Sequence, residues 1–120
     1  MEKFSIGKRL KSFGYAAKGI GNVLCREHNA WIHLAITLLV VGAGFFFDIQ
    51  RGEWMALVLC IGLVLAAEAF NTAIERLVDL VSPERHPLAG EVKDIAAGAV
   101  LICAIAAAVV GLIVFIPYLL

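Results

Sequence analysis

Three long apolar stretches dominate the chain, and short polar segments separate them. At ~1.5 Å per residue each stretch is long enough to cross a bilayer, although the first is near the lower limit. Because the apolar runs are continuous and contain few charges, they indicate helices that face lipid. The pattern therefore predicts transmembrane helices at residues 29–48, 53–81 and 92–118.

The first 28 residues follow a different pattern. Apolar positions such as Phe4, Leu10 and Ile20 alternate with lysines. This alternation is typical of a helix that lies in the membrane interface, with its cations toward anionic headgroups. The segment 1–28 is therefore predicted to be an amphipathic interfacial helix, and a flexible basic tail is the alternative.

Composition supports a membrane protein and leaves room for one domain only. Of the 120 residues, 62% are hydrophobic, whereas a soluble domain contains roughly 45–50%. A chain this short cannot bury such an excess, because a small domain has a large surface for its volume. We therefore predict an all-α integral membrane protein with a single domain over residues 1–120. A net charge of zero makes nucleic acid an improbable partner.

The charges predict an orientation. Six of the ten lysines and arginines precede residue 31, and three more surround the second polar gap. Cytoplasmic loops collect Lys and Arg. The N-terminus and the 82–93 loop are therefore expected on the cytoplasmic side of a bacterial-type membrane, where ATP is available.

The second apolar stretch carries a row of polar residues at its cytoplasmic end. With 3.6 residues per turn, their spacing places them on one face of a helix. The row comprises Glu68, Asn71, Thr72, Glu75 and Asp79. No charge occurs from Trp54 to Ala67, so Glu68 is the deepest carboxylate, and an ionisable group at that depth is normally turned inward and functional.

Two interpretations of this row are open. The polar residues could simply hold helices together through interhelical hydrogen bonds. Three carboxylates on one face would repel one another, however, and the sequence has no matching row of lysines. A divalent cation resolves the repulsion, and Mg²⁺ suits a few carboxylates that share it with substrate phosphates.

A second polar cluster lies in the loop before the third apolar stretch. Lys93 offers a positive charge to a phosphate, and Asp94 is expected to begin the third helix, whose N-terminal dipole would also favour an anion. His86 is a possible phosphate or ribose contact or an ordinary loop histidine. The chain contains no Gly-x-x-x-x-Gly-Lys-Ser/Thr loop and no dinucleotide fingerprint, so a nucleotide site would be formed by helix faces.

Two long motifs resemble the signature of the prokaryotic diacylglycerol kinase family. The first is Glu68-x-x-Asn-Thr-Ala-Ile-Glu75-x-x-Val-Asp79, and the second is His86-Pro-Leu-Ala-Gly followed by Lys93-Asp-x-Ala-Ala-Gly. The similarity covers nearly the whole chain. Two segments, Asn-Thr-Ala-Ile-Glu and the C-terminal Gly-Leu-Ile-Val-Phe-Ile-Pro, are similar to sequences of the undecaprenol-kinase branch.

The resemblance implies a homotrimer that transfers phosphate from ATP to the hydroxyl of a membrane lipid, with active sites shared between subunits. Glu68 matches the catalytic base, and Glu27 and Glu75 match the Mg²⁺ ligands, which also contact ATP. The resemblance also implies that ATP is bound by Lys8, Tyr15, Glu84, Arg85, His86, Lys93 and Asp94. It implies that the site is supported by Lys18, Asn71 and Asp79. Contact with the lipid is implied for Lys8, Glu68, Trp54 and Ala97. Arg9 competes with Lys8 for its role, because the family often has arginine there.

The acceptor is expected to be undecaprenol, with diacylglycerol as the alternative. Other functional classes remain possible on the sequence. A small ion or multidrug transport subunit also carries an intramembrane glutamate, but it would not require further acidic residues and Lys93 at one cytoplasmic mouth. A structural scaffold would require neither Mg²⁺ nor ATP.

Overall fold

The computed structural model describes residues 3–120 and is all-helical over that range. The four helices are α1 (Ile6–Arg26), α2 (His28–Phe47), α3 (Arg51–Val81) and α4 (Pro87–Leu119). The last three are long and apolar enough to cross a membrane. The prediction of three helices that could span a membrane is therefore confirmed, and the alternative of a flexible tail is wrong for residues 6–26.

A single residue separates α1 from α2. Glu27 has an extended backbone, with φ −100° and ψ 122°, and it forms both the C-cap of α1 and the N-cap of α2. The indole N–H of Trp31 donates to the carbonyl of Leu24 across this break. The bend therefore places the side chain of Glu27 at the corner between the two helices.

The α2–α3 connection is a tight turn. Asp48 ends α2 in the left-handed region, with φ 50°, a conformation that Asp tolerates better than most residues. Gln50 and Glu53 then form a capping box, in which each side chain accepts from the other residue's backbone N–H. This pair satisfies donors that the first turn of α3 would otherwise leave unpaired.

The main buried core lies at this turn end of the bundle. Ile49, Leu57 and Val114 form its centre, and partly buried aromatic side chains pack around it. Gly44 of α2 is buried against the Trp54 ring, which an added Cβ would meet at 2.6 Å. Since only glycine permits this approach, α2 and α3 are held closely together here.

Helices α3 and α4 form the most extensive helix pair and run antiparallel over their whole length. Two side-chain pairs mark the register, because Glu53 accepts from Tyr118 at one end and Asp79 accepts from Lys93 at the other. The contact between α2 and α3 is smaller. Helix α3 is therefore held mainly by α4.

Helix α4 begins earlier than the sequence predicted. Its first residue is Pro87, and the ring Nδ1 of His86 accepts from the N–H of Leu88 as an N-cap. Proline is favoured at this position because the missing N–H would be unpaired anyway. The expectation that Asp94 begins the helix is therefore wrong, and Lys93 lies in the second turn of α4, away from the helix start.

Most apolar side chains on the three long helices are exposed in the single chain. Lipid or other copies of the chain would cover them in a membrane. Helix α1 has no buried residue. Its amphipathic placement at the membrane surface and the trimeric assembly stay predictions.

Candidate active site

Glu68 is the most deeply placed charged side chain of α3. It is 5% exposed, and its Oε1 lies 2.7 Å from Nε2 of His33 on α2. At ~1.5 Å per residue, Glu68 lies ~21 Å along α3 from Trp54, which is within a hydrocarbon core of ~30 Å. The structure therefore turns this carboxylate inward, as its position in the sequence predicts.

The next three turns of α3 carry the rest of the polar row. Asn71 and Thr72 are buried, and the Asn71 amide donates to Glu75 Oε1 at 3.2 Å. The other end of the amide, Oδ1, is buried without a hydrogen-bond partner among the residues described. A buried acceptor left unpaired costs ~1–3 kcal/mol, so this atom identifies a place where a further donor would be stabilising.

Glu27 reaches the site from the α1–α2 corner. Its Oε1 accepts from the guanidinium of Arg76 at 3.3 Å, and the same guanidinium donates to Asn22 of α1 at 2.9 Å. Both Glu27 and Arg76 are partly exposed, with side chains 34% and 48% accessible. The pair therefore contributes little stability, but it ties the end of α1 to the turn of α3 that follows Glu75.

Asp79 and Lys93 form the outermost pair. The Lys93 ammonium donates to Asp79 Oδ1, and the Asp79 side chain is 65% exposed. Asp94 is exposed on the next position of α4. Lys93 therefore lies beside the polar row, as predicted, although it is paired with a carboxylate of that row.

The 82–86 loop closes the same end of the bundle. Ser82 donates to the carbonyl of Glu84 at 3.1 Å, and Glu84 and Arg85 are exposed. His86 uses its Nδ1 to cap α4. The loop is thus anchored at both ends, and His86 has a structural role in addition to the contact predicted for it.

The site residues predicted on α1 lie on one face. Lys8 and Tyr15 precede Asn22 by fourteen and seven residues, spacings that return to nearly the same side of a helix. Lys18, four residues before Asn22, lies close to that face. Arg9 lies on the opposite side, with its guanidinium 5.4 Å above the Phe4 ring. Since Asn22 contacts Arg76, helical phase favours Lys8 over Arg9 as the residue that faces α3.

An apolar groove of about 250 Å³ runs between α2, α3 and α4. His33 lines it, so the groove adjoins Glu68. Its α4 wall is made of small residues, namely Ala104, Ala107, Ala108 and Gly111. Ala97 precedes Ala104 by seven residues and shares that face of α4. Trp54 lies near the far end of the helices, packed against Phe45 with ring centroids 4.9 Å apart.

The structure corrects one premise of the sequence analysis. The acidic row is not without a cationic partner, because Asp79 pairs with Lys93, and Glu27 at the α1–α2 corner pairs with Arg76. Two of the acidic side chains, Glu68 and Asp79, do bridge helices. The sequence alone therefore overstated the repulsion along α3, and the case for a metal rests on the resemblance and on the type of ligands present.

Three contacting residues were missed at the sequence level: His33, Arg76 and Asn22. A signal existed for His33, because an ionisable residue inside an apolar span is rare and usually has a partner. Arg76 lies between two members of the acidic row. Its positive charge contributed to the predicted orientation, but no contact was predicted for its side chain. Nothing in the local pattern distinguishes Asn22.

The acidic side chains could hold a metal ion only together with a substrate. Within residues 3–120, no three His, Cys, Asp or Glu side chains are close enough to form a metal site by themselves. Mg²⁺ needs fewer protein ligands, because it commonly takes one or two carboxylates together with phosphate oxygens and water. Glu27 and Glu75 provide hard oxygen ligands of this type, and the chemistry of the donor set fits Mg²⁺.

Comparison with known proteins gives a consistent result. A sequence profile described as "Prokaryotic diacylglycerol kinase" matches residues 14–115. The chain is 40% identical over 114 residues to the undecaprenol kinase of Bacillus subtilis (strain 168), covering 95% of this chain and 93% of that protein. It is 39% identical over 112 residues to a diacylglycerol kinase of Synechocystis sp., covering 92% and 64% respectively. It is 33% identical over 107 residues to the diacylglycerol kinase of Escherichia coli (strain K12), covering 83% and 82%.

Proposed function

Because the chain belongs to the prokaryotic diacylglycerol kinase family and is therefore a lipid kinase, we propose that it transfers the γ-phosphoryl group of ATP to the hydroxyl of a membrane lipid. The observation that carries the proposal is the position of Glu68. This carboxylate is buried, lies at membrane depth and adjoins an apolar groove. A base in that position can meet an alcohol whose hydrocarbon chain stays in the bilayer.

Glu68 acts as the general base. It removes the proton from the lipid hydroxyl while that oxygen attacks the γ-phosphorus of ATP. The new oxygen–phosphorus bond forms as the bond from the γ-phosphorus to the bridging oxygen breaks, and ADP leaves. The proton remains on Glu68 until it is lost to solvent. The products are ADP and the lipid phosphate.

The nucleotide approaches the polar end of the bundle from the cytoplasm. Lys93 lies beside the acidic row and exchanges Asp79 for a phosphate oxygen when ATP binds. His86 and Asp94 lie at the same end of α4 and contact the nucleotide. Further contacts are proposed for Lys8, Tyr15, Glu84 and Arg85. We assign the cationic role to Lys8 rather than Arg9 because Lys8 shares the α1 face of Asn22.

Mg²⁺ is proposed to bind Glu27 and Glu75 together with phosphate oxygens of ATP. When bound, it supplies charge neutralisation for the transferring phosphoryl group. The Asn71 amide donates to Glu75 and orients that carboxylate. Arg76 holds Glu27 at the corner of α1 and α2, where it also offsets some of the negative charge of the site.

The acceptor is proposed to be undecaprenol, with diacylglycerol as the alternative. The groove supports a lipid acceptor generally, because its walls are apolar and one end adjoins Glu68. The first part of the hydrocarbon chain occupies the groove, and lipid contacts are also proposed for Ala97 and Trp54. The choice of undecaprenol is supported by coverage more than by identity, because the undecaprenol kinase matches over 93% of its length at 40% identity, whereas a diacylglycerol kinase with 39% identity matches over 64% of its length.

A phosphoryl-transfer assay tests the proposal. Purified protein in mixed micelles would receive ATP labelled at the γ-phosphate with undecaprenol or diacylglycerol as the only acceptor. We expect Mg²⁺-dependent transfer to a lipid, with undecaprenol preferred in kcat/KM. Absence of transfer to either lipid would refute a lipid-kinase reaction with these acceptors, and a preference for diacylglycerol would reverse the acceptor assignment.

The groove gives a separate prediction. Replacing Ala107 with Phe adds a large side chain to the groove wall, and we expect it to raise the KM for lipid about 10-fold, which corresponds to ~1.4 kcal/mol. The KM for ATP should change little. Ala106→Phe is the matched control, because Ala106 is exposed on the neighbouring position of α4 and does not line the groove. Equal KM values for lipid in the two variants would contradict the assignment of the groove.

The assembly is proposed to be a homotrimer, with N-termini on the cytoplasmic side. The resemblance supports the trimer, and the concentration of Lys and Arg before residue 31 and around the 82–93 loop supports the orientation. In one chain the acidic residues form separate pairs with His33, Arg76 and Lys93. This separation is consistent with a site that neighbouring subunits complete.

A further inference from the structure

His33 is an ionisable residue inside the first membrane-spanning helix. Its ring Nε2 lies 2.7 Å from Glu68 Oε1, and the two side chains are 22% and 7% exposed. An ionisable side chain at this depth is costly unless it faces a partner. The contact joins α2 to α3 at the point where the proposed base meets the groove.

The surroundings leave His33 as the evident partner of this carboxylate. Asn71, one turn further along α3, donates to Glu75. The α4 side of the groove consists of alanines and glycine, which offer no side-chain donor. Among the described residues, His33 is therefore the side chain that contacts Glu68 by a hydrogen bond.

A neutral imidazole is well suited to this position. With the proton on Nε2, the ring donates to Oε1 and leaves the second carboxylate oxygen available to a substrate hydroxyl. A hydrogen bond to a charged acceptor is strong and directional. A Lys or Arg would orient the carboxylate equally well, but its full positive charge would weaken the oxygen as a base. A neutral histidine therefore orients the carboxylate without placing a full positive charge beside it.

We propose that His33 is a positioning residue for catalysis, which donates a hydrogen bond to Glu68 and aims its other oxygen at the acceptor hydroxyl. The inference rests on the proposed function, in which Glu68 is the general base. His33 does not itself touch the reacting atoms. Its effect on turnover passes through the carboxylate of Glu68.

The test compares three replacements of His33 in the full-length protein. His33→Leu and His33→Phe remove the donor and retain apolar volume, whereas His33→Gln keeps an N–H donor. We expect the two donor-free variants to lower kcat about 10- to 100-fold, the effect of losing a hydrogen bond to a charged group. His33→Gln should recover most of the activity. The KM for ATP should be unchanged throughout.

A double-mutant cycle distinguishes positioning from packing. If His33 acts only through the carboxylate, His33→Leu or His33→Phe should lower kcat no further when Glu68 is already Gln. An equal loss on both backgrounds would overturn the proposal, as would a Gln variant no better than Leu and Phe. Thermal unfolding in detergent identifies variants whose loss reflects instability, and the more stable donor-free variant is then used for the comparison.

Failure of the inference is distinguishable from failure of the proposed function. If Glu68→Gln alone retains full turnover, the base assignment is wrong and the role of His33 falls with it. If Glu68→Gln loses turnover while both donor-free variants of His33 keep it, only the positioning role is refuted.

Discussion

Replacing Glu68 with Gln is expected to reduce kcat at least about 10²-fold, the usual contribution of a general base. The amide retains the size and hydrogen-bonding capacity of the carboxylate but does not accept a proton under these conditions. Because Glu68 lies deeper than the nucleotide-binding end of the bundle, binding of ATP should persist. Turnover is measured by transfer of labelled phosphate, and nucleotide binding by calorimetry with a non-hydrolysable ATP analogue.

The control for this variant is Glu91→Gln. Glu91 is an exposed glutamate near the start of α4, and no role in the reaction is assigned to it. It therefore reports on the loss of one negative charge at the same end of the bundle. Normal turnover by Glu68→Gln, or loss of ATP affinity in parallel with turnover, would show that Glu68 is not the base.

Replacing Glu75 with Gln is expected to raise the Mg²⁺ concentration needed for half-maximal turnover by about 10- to 100-fold. A neutral amide oxygen is a weaker ligand for Mg²⁺ than a carboxylate, and a site with only one or two protein ligands depends strongly on each. Metal affinities that change by this factor follow from losses of ~1.4–2.8 kcal/mol. The measurement is a Mg²⁺ titration of lipid phosphorylation at saturating ATP.

The result should be specific to the position of the carboxylate. Glu91→Gln should leave the titration unchanged, because Glu91 is an exposed residue of α4 to which no metal contact is assigned. High Mg²⁺ should restore part of the turnover of Glu75→Gln, whereas it should not rescue Glu68→Gln. An unaltered Mg²⁺ requirement in the Glu75 variant would remove Glu75 from the metal site.

Much of the fold could be predicted because the membrane imposes strong rules on a short chain. A long apolar stretch must be helical, since lipid offers no partner for backbone groups. The predicted spans therefore agree with α2 and α3 to within two residues at each end. The predicted third span, 92–118, begins five residues after the first residue of α4, Pro87, because proline breaks a helix interior but is also a favoured first residue of a helix.

Part of the site followed from the sequence in the same way. The 3.6-residue period places Glu68, Asn71 and Thr72 on one face of α3, and the structure buries all three. The partners of the acidic residues could not be predicted, because they come from other parts of the fold. His33 is 35 residues away from Glu68, and no local pattern encodes a distance across two helices.

The sequence by itself determined that this protein is a helical membrane protein with a polar face at one end of its second span, because periodicity and lipid solvation act on neighbouring residues along the chain. Only the tertiary structure decided which side chains pair across the bundle. The close packing of Gly44 against Trp54 and the antiparallel register of α3 and α4 fix the relative positions of the helices along and around their axes. That alignment brings His33 to Glu68 and opens the groove beside them.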